Sequence, residues 1–513
     1  MKSPRTRRIP SLYRKPWYFL AFAISPTLSL LAYNLSQIRP EAGLRSLLLV
    51  LALAGLLWGF LRPIYRQAVR ASFAASALLL LFFSYGQVLD YLSSKVEFVQ
   101  LPCLLAGCWL VLALLALAWA GRRKASFVQA TVGLNVVALA LVLYPTVQIA
   151  VWSFPRQTHL PVDDHAPLQT LQVAEDAVLP DIYYIIVDSY GRSDLLDQAF
   201  DFDNTDFLLQ LEQMGFFIAD ETQSNYNRTD VSLASSLNLD YLQALDDAYQ
   251  PPNLGRRTLW ESIRHNTVRY QLEQLGYQTY AFATGFGWSE WTDADVFISP
   301  SPFFSAMTGF ETMLVRTTPL RHLQELGWIN LDEIDGQRYR ERTALILERV
   351  GDVARQPGPK FVFVHIIPPH PPFVYAPDGS PTDPSSFLNA DRRYTTATYM
   401  QGYHNQAAYI SSQLPALLEE ILAGSAQPPV IVLQGDHAPW LQSGHRKFLI
   451  LNAYFLPGHA DVLYPTISPV NTFRTIFNVY FGAEYEILPD ISYYSPVPNI
   501  YEFEQCPNPF LEP

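Results

Sequence analysis

The sequence predicts a two-part protein: a five-helix N-terminal transmembrane region, then an extracytoplasmic α/β domain with a largely parallel sheet flanked by helices. Three observations lead there. Apolar residues make up 49% of the chain and charged residues only 16%, and the mean hydropathy of +0.07 is too high for an ordinary soluble protein. The apolar residues concentrate in five N-terminal runs. Beyond them, continuous β-branched runs alternate with segments of helical spacing, the pattern of strands buried on both faces.

The five runs are Trp17–Leu35, Leu44–Leu61, Ala71–Val88, Val99–Ala120 and Ser126–Trp152. Each approaches the roughly 20 residues a helix needs to cross a bilayer core, the second being the shortest. A cleaved signal peptide fits poorly, because four further runs follow the first. Lys2, Arg5, Arg7, Arg8, Arg14 and Lys15 precede run one. Arg62, Arg66 and Arg70 separate runs two and three, and Arg122, Arg123 and Lys124 separate four and five; the alternate loops hold only Arg39, Arg45 and Lys95. By the positive-inside rule the N-terminus is cytoplasmic, and an odd number of spans sends everything after Trp152 outside. The expected divisions are 1–152 for the transmembrane region, 153–179 for a polar connector and 180–513 for the outer domain. The expected location is the plasma (inner) membrane, crossed several times.

The net charge of −12 belongs to the outer domain. That balance suits divalent cations and argues against a nucleic-acid partner, although acidity also simply aids solubility. Cys103 and Cys108 lie inside the fourth run and Cys506 is alone near the C-terminus, so no disulfide staples the outer domain.

In the outer domain, strands are expected in "PDIYYIIVDSYGRSD", "YQTYAFATG", "KFVFVHIIPPH", "PPVIVLQGDHAPW" and "KFLILNAYFLPG". Helical spacing marks Phe207–Met214, Arg264–Leu275, Tyr339–Val353 and Gln406–Leu422, and the Pro-rich patches around "IIPPHPPF" and "PDGSPTDPSS…LNADRRY" read as long loops. Three strands end in polar, metal-competent residues: Asp188, then His365 with His370, then Asp436 with His437. Ligands of open α/β sheets collect outside the carboxyl ends of strands. Two carboxylates and an imidazole suit Zn²⁺ or Mn²⁺ better than Ca²⁺.

A nucleophile candidate lies in "SNYNRTDVSLASSLNLDYL". There Thr229 falls at the first turn of a helix whose apolar face is Val231, Leu233, Leu237 and Leu242. Backbone N–H groups and the helix dipole favour an alkoxide and an adjacent anion at that position; a plain N-cap is the competing role for a threonine there. His370 and His365 could each hydrogen-bond a phosphoryl or sulfuryl oxygen or protonate a leaving group, or be satisfied within a rigid loop. Arg228 could bind an anion or form a structural ion pair, and His445 could serve a second metal or a substrate. Trp288 and Trp291 fit either a sugar or head-group site or the core.

The ordered set "IIVDS", "NRTDVSLASSL", "HPPF" and "QGDHAP" resembles the sulfatase-type catalytic domain of the alkaline phosphatase superfamily. Five spans before such a domain resemble lipoteichoic acid synthases and lipid A phosphoethanolamine transferases, and the likeness covers nearly the whole chain. The resemblance implies an alkaline-phosphatase-like fold with one divalent metal held by Asp188, Thr229, Asp436 and His437, and with His370 on the substrate phosphate. It further implies that Thr229 attacks a membrane phospholipid donor, forming a phosphothreonine, and that an envelope glycan or lipid acceptor takes up the phospho-alcohol. Three features depart from those families. Asp188 stands where the transferases usually carry Glu, and Asp is commoner in hydrolytic branches. His445 follows the Asp-His pair sooner than the usual second histidine, which makes a second metal doubtful. The helix start lacks the Cys/Ser-x-Pro-x-Arg motif of true sulfatases. A phosphodiesterase or sulfatase-like hydrolase, or a non-catalytic lipid-sensing relative, are the alternative readings.

Overall fold

The computed structural model describes residues 15–35, 38–96, 98, 100–122, 127–153, 169, 171–173, 179–300, 307–383 and 395–507. The "LNADRRY" patch and most of the connector lie outside them. The chain divides into two units, residues 1–156 with 302–334, and residues 157–301 with 335–513.

In the first unit, the apolar runs form helices α1 (Tyr18–Tyr33), α2 (Gly43–Tyr65), α3 (Ala68–Ser93), α4 (Leu101–Gly121) and α5 (Phe127–Ser153). Four of them, α2 to α5, are long and apolar enough to cross a membrane. The second run, the shortest in sequence, becomes a helix of 23 residues, because Gly43 and the flanking Arg62–Tyr65 continue it. The 16 described residues of α1 rise only about 24 Å, short of a roughly 30 Å hydrocarbon core.

Residues 302–334 were expected within the outer domain, yet they cluster with these helices. Leu314 is buried among Ala23, Val50, Leu79 and Phe83. Phe310 packs with Leu31 and Leu35. Arg45 pairs with Glu311, the Gly86 N–H donates to the Thr317 carbonyl at 2.8 Å, and Arg321 pairs with Asp90 at 2.8 Å.

The second unit is built on a seven-stranded sheet of order β2-β7-β6-β1-β5-β3-β4. The strands are β1 (Ile182–Val187), β2 (Phe217–Ile218), β3 (Gln278–Phe282), β4 (Val296–Ile298), β5 (Lys360–Ile366), β6 (Val430–Gly435) and β7 (Asn452–Phe455). The run from β6 through β4 is parallel, while β7 is antiparallel to β6 and β2 antiparallel to β7. Every residue of β1, β5 and β6 is buried, which explains why these strands read as unbroken apolar runs.

Alternate β1 side chains feed two cores. Ile182, Tyr184 and Ile186 meet helices Thr229–Leu237 and Pro469–Phe481 on one face. Tyr183, Ile185 and Val187 meet helix Thr396–Gly424 and the second-unit part of helix Leu331–Ala354 on the other. Burying each large apolar side chain contributes about 1.5–3 kcal/mol.

The helix expected over Arg264–Leu275 runs over Thr267–Gln274, and Arg264 ends a separate preceding helix, Arg257–Arg264. Between them the Asn266 side chain accepts from the Arg269 N–H at 2.8 Å and caps the second. Such a cap competes with helix continuation, as Asn side chains tend to do.

Candidate active site and metal centre

The register of the sheet brings the two carboxylates together. Val187 sits opposite Gly435 in the parallel β1–β6 pair, so the next residues, Asp188 and Asp436, leave neighbouring strands side by side. Gly435 is required there: a Cβ would lie 2.3 Å from the Tyr190 carbonyl oxygen. Ser189 then turns into the left-handed region with φ +60°, costly for a residue with a Cβ. The turn aims its N–H at Asp436 Oδ1, 2.8 Å away, and its Oγ at Asp188 Oδ1, 3.1 Å away. Tyr403 holds the turn by donating to the Ser189 carbonyl at 2.8 Å and accepting from the Gly191 N–H at 3.2 Å.

His365 lies on β5 opposite Ile186 and is buried, with Nε2 3.3 Å from Asp188 Oδ2. Asp188, His365 and Asp436 offer ligand atoms that all lie within 4.8 Å of one another. His437 closes the group, its Nε2 lying 3.7 Å from Asp188 Oδ1 and 3.6 Å from Asp436 Oδ2. With Nδ1 donating to the Ala438 carbonyl at 2.7 Å, the neutral ring turns the Nε2 lone pair toward the carboxylates.

Thr229 is the first residue of its helix, and the N-cap is Arg228, whose side chain makes no cap hydrogen bond. Thr229 Oγ1 instead lies 3.2 Å from His437 Nε2. The helix start thus delivers a hydroxyl to the acid–imidazole cluster.

The donors fit a divalent cation. Asp188, Asp436, His437 and His365 are all less than a tenth exposed. Asp436 Oδ2 and both ring nitrogens of His365 have no hydrogen-bond partner among the described residues. Two buried carboxylates so placed repel each other unless a cation or proton intervenes. Burial pushes the Asp436 carboxyl up, and Asp188 pushes it further. Burial also acts to raise Asp188, but His370, His365 and His437 outweigh it and hold that carboxyl below its ordinary value. Burial acts to lower His437, but Asp436 and Asp188 prevail and raise it.

His370 follows β5 in a pinned loop. Its Nδ1 is 2.7 Å from the Pro371 carbonyl, while its own carbonyl accepts from Tyr339 Oη and Gln406 Nε2, each at 3.1 Å. Arg228 Nε meets Asp230 Oδ1 at 3.3 Å, and Arg256 approaches the same carboxylate at 3.6 Å. One acid therefore faces two guanidinium groups beside Thr229. His445 is exposed in the turn Gly444–Phe448. No hydrogen bond or ion pair among the described residues ties it to the cluster. Trp291 is buried and stacks on Phe363 at 4.4 Å, a core residue, and Trp288 is half-buried.

Two contributors were not singled out in these roles from sequence: Ser189 as the donor to both carboxylates, and His365 as a wall of the cluster. The polar "DSYG" turn directly after a buried strand is the signal for the first. For the second, a histidine inside an otherwise apolar strand is the signal.

The Sulfatase family model matches residues 180–467, more than half of the 513-residue chain. The chain belongs to the Sulfatase family, and so to the sulfatase-type enzymes of the alkaline phosphatase superfamily. No curated protein matches the sequence. Among solved structures, the C-terminal periplasmic domain of EcEptC from Escherichia coli in a complex with Zn is similar at 12% identity. That match has a TM-score of 0.41 and covers 61% of this chain and 86% of that one. The integral membrane lipooligosaccharide phosphoethanolamine transferase EptA from Neisseria meningitidis is 12% identical over 92% and 94% of the two chains, with a TM-score of 0.39. The phosphonate monoester hydrolase SpPMH from Silicibacter pomeroyi is 14% identical over 61% and 79%, also at 0.39.

Proposed function

We propose that this protein is a membrane-anchored, metal-dependent phosphotransferase. It moves a phospho-alcohol group, such as phosphoethanolamine or phosphoglycerol, from a membrane phospholipid to an envelope glycan or lipid. The observation that carries this reading is the 3.2 Å contact between Thr229 Oγ1 and His437 Nε2, at the edge of two buried carboxylates. Asp188, Thr229, Asp436 and His437 would hold one divalent ion, Zn²⁺ or Mn²⁺, with His365 backing Asp188. A cation bound there supplies a Lewis acid for the phosphoryl oxygens and a lowered hydroxyl pKa.

The chain's own groups divide the remaining work. The helix amino end places Thr229 in line with positive dipole and backbone N–H groups. Thr229 Oγ releases its proton to solvent and forms the bond to phosphorus as the O–P bond to the diacylglycerol oxygen breaks. His370, pinned through Tyr339 and Gln406, delivers a proton to that oxygen. An acceptor hydroxyl then attacks phosphorus, passing its proton to His370, and the Thr229 O–P bond breaks as Thr229 Oγ takes a proton back from solvent, the usual course of a covalent two-step transfer.

The expected topology has five spans, with the N-terminus cytoplasmic and the Sulfatase domain outside. The pairing of Glu311 with Arg45 and of Arg321 with Asp90 supports it, because Arg45 and Asp90 lie near helix ends facing the predicted exterior. The purified full chain with Mn²⁺ or Zn²⁺ is expected to release diacylglycerol from a labelled phospholipid, and Thr229→Ala to stop it. Full turnover by that variant overturns the covalent mechanism. Asp188 at the first ligand position favours a second reading, hydrolysis with water as acceptor. Equal product with and without envelope glycan would select it.

A further inference from the structure

A small cleft opens on the His365 side of the cluster, between the ends of β3 and β5 and helix Leu331–Ala354. Its lining includes Thr284, Tyr339, Arg342, Thr343 and His365, and its mouth is open to solvent.

Two polar groups in this cleft, Arg342 and His365 Nδ1, lack hydrogen-bond partners among the described residues. Arg342 makes no hydrogen bond or ion pair among the described residues; its guanidinium carbon lies 5.9 Å from the centre of the Tyr339 ring. Buried His365 Nδ1 also has no hydrogen-bond partner. Glu290, whose charge acts on Arg342, accepts the Thr284 and Gly285 N–H groups at 3.0 and 2.9 Å. Arg338, one turn away on the Arg342 helix, pairs with Asp335 at 3.4 Å. The wall around Arg342 is built closely: a Cβ at Gly285 would lie 2.7 Å from its guanidinium carbon. Burial, and then Arg338, lower the Arg342 pKa, an environment that an oxyanion would relieve.

We propose that this cleft is an oxyanion subsite in which the Arg342 guanidinium holds a phosphate carried by one of the substrates, apart from the phosphoryl group being transferred. A guanidinium fork matches two phosphate oxygens, and His365 Nδ1 can donate to a third. The oxyanion itself is inferred from the cleft alone; its assignment to a substrate rests on the transferase reading.

Inorganic phosphate titrated into metal-stripped, full-length protein in detergent tests the subsite without turnover. Wild type should bind phosphate, with Arg342→Gln weakening it at least tenfold, Arg342→Lys less, and Arg349→Gln, a surface arginine of the same helix, leaving it unchanged. Phosphate should also protect Arg342 in the wild type from an arginine-directed dicarbonyl reagent, a readout that needs no variant to fold. Unchanged labelling of Arg342, or phosphate binding by Arg342→Gln as tight as by wild type, overturns the subsite. In turnover assays, a raised KM for acceptor assigns the phosphate to the acceptor, and a raised KM for phospholipid assigns it to the donor. Phosphate bound through Arg342 in a protein whose Thr229→Ala variant turns over fully would sink the covalent mechanism and leave the subsite standing.

Discussion

At the amino end of β1, Asp181 is buried against Lys360, whose Nζ lies 2.9 Å from its Oδ2. That ammonium also donates to the carbonyls of Gln356 and Gly358 at 2.7 and 2.9 Å. At the carboxyl end of the same strand, Asp188 faces Asp436 with imidazoles and a hydroxyl around them and, among the described residues, no lysine or arginine paired with either. Both ends bury acids beside a parallel strand. One carries a permanent counter-cation covalently, and the other leaves its carboxylates to a proton or to a cation from solution. The first is structure and the second is the candidate site, although a count of buried acids alone would not separate them.

Removing a group from each end should produce opposite phenotypes. The largest effect is expected from Asp436→Ala, which should lower turnover by about 10³-fold or more and reduce bound metal, read by elemental analysis. Without metal, the same variant should melt no lower than wild type, because a repelling carboxylate is gone. Lys360→Met should do the reverse. Stripping a buried pair of one partner costs about 3–5 kcal/mol, seen as a lowered thermal midpoint, while metal content per folded molecule stays constant.

The pH dependence sharpens the contrast. Since Asp436 and Asp188 raise His437 above its ordinary value, the metal-free ring keeps its proton to higher pH, and metal must displace it. Metal affinity should therefore rise with pH until that raised pKa is passed, and fall below it. A flat profile measured by competition with a chelator would contradict this. The smallest effect is expected from Tyr403→Phe. It loses the hydrogen bond to the Ser189 carbonyl, about 0.5–1.5 kcal/mol, and should weaken metal binding by roughly tenfold through the misplaced turn.

Much of this was legible in the sequence because burial on both faces leaves a mark. β1, β5 and β6 are continuous apolar runs that stop at Asp188, near His370, and at Asp436, so the strand ends announce themselves. The helix start at Thr229 is visible for a similar reason, a polar turn passing into apolar spacing. His365 was not legible as a neighbour of Asp188, since that depends on the parallel register of β1 and β5, set by the whole sheet. Nor was the left-handed Ser189, as serine carries no signal for positive φ. Residues 302–334 have mixed polarity, and only packing around Phe310 and Leu314 reveals which helices they belong with.

That last segment has a practical consequence for anyone truncating the chain. A fragment beginning at residue 180 looks like a self-sufficient outer domain by sequence, yet it still carries residues 302–334. Freed from α1, α2 and α3, those residues would present Phe310 and Leu314 to water and leave Glu311 without Arg45. Replacing 302–334 with a short polar linker is the deletion that should turn an aggregating fragment into a soluble one.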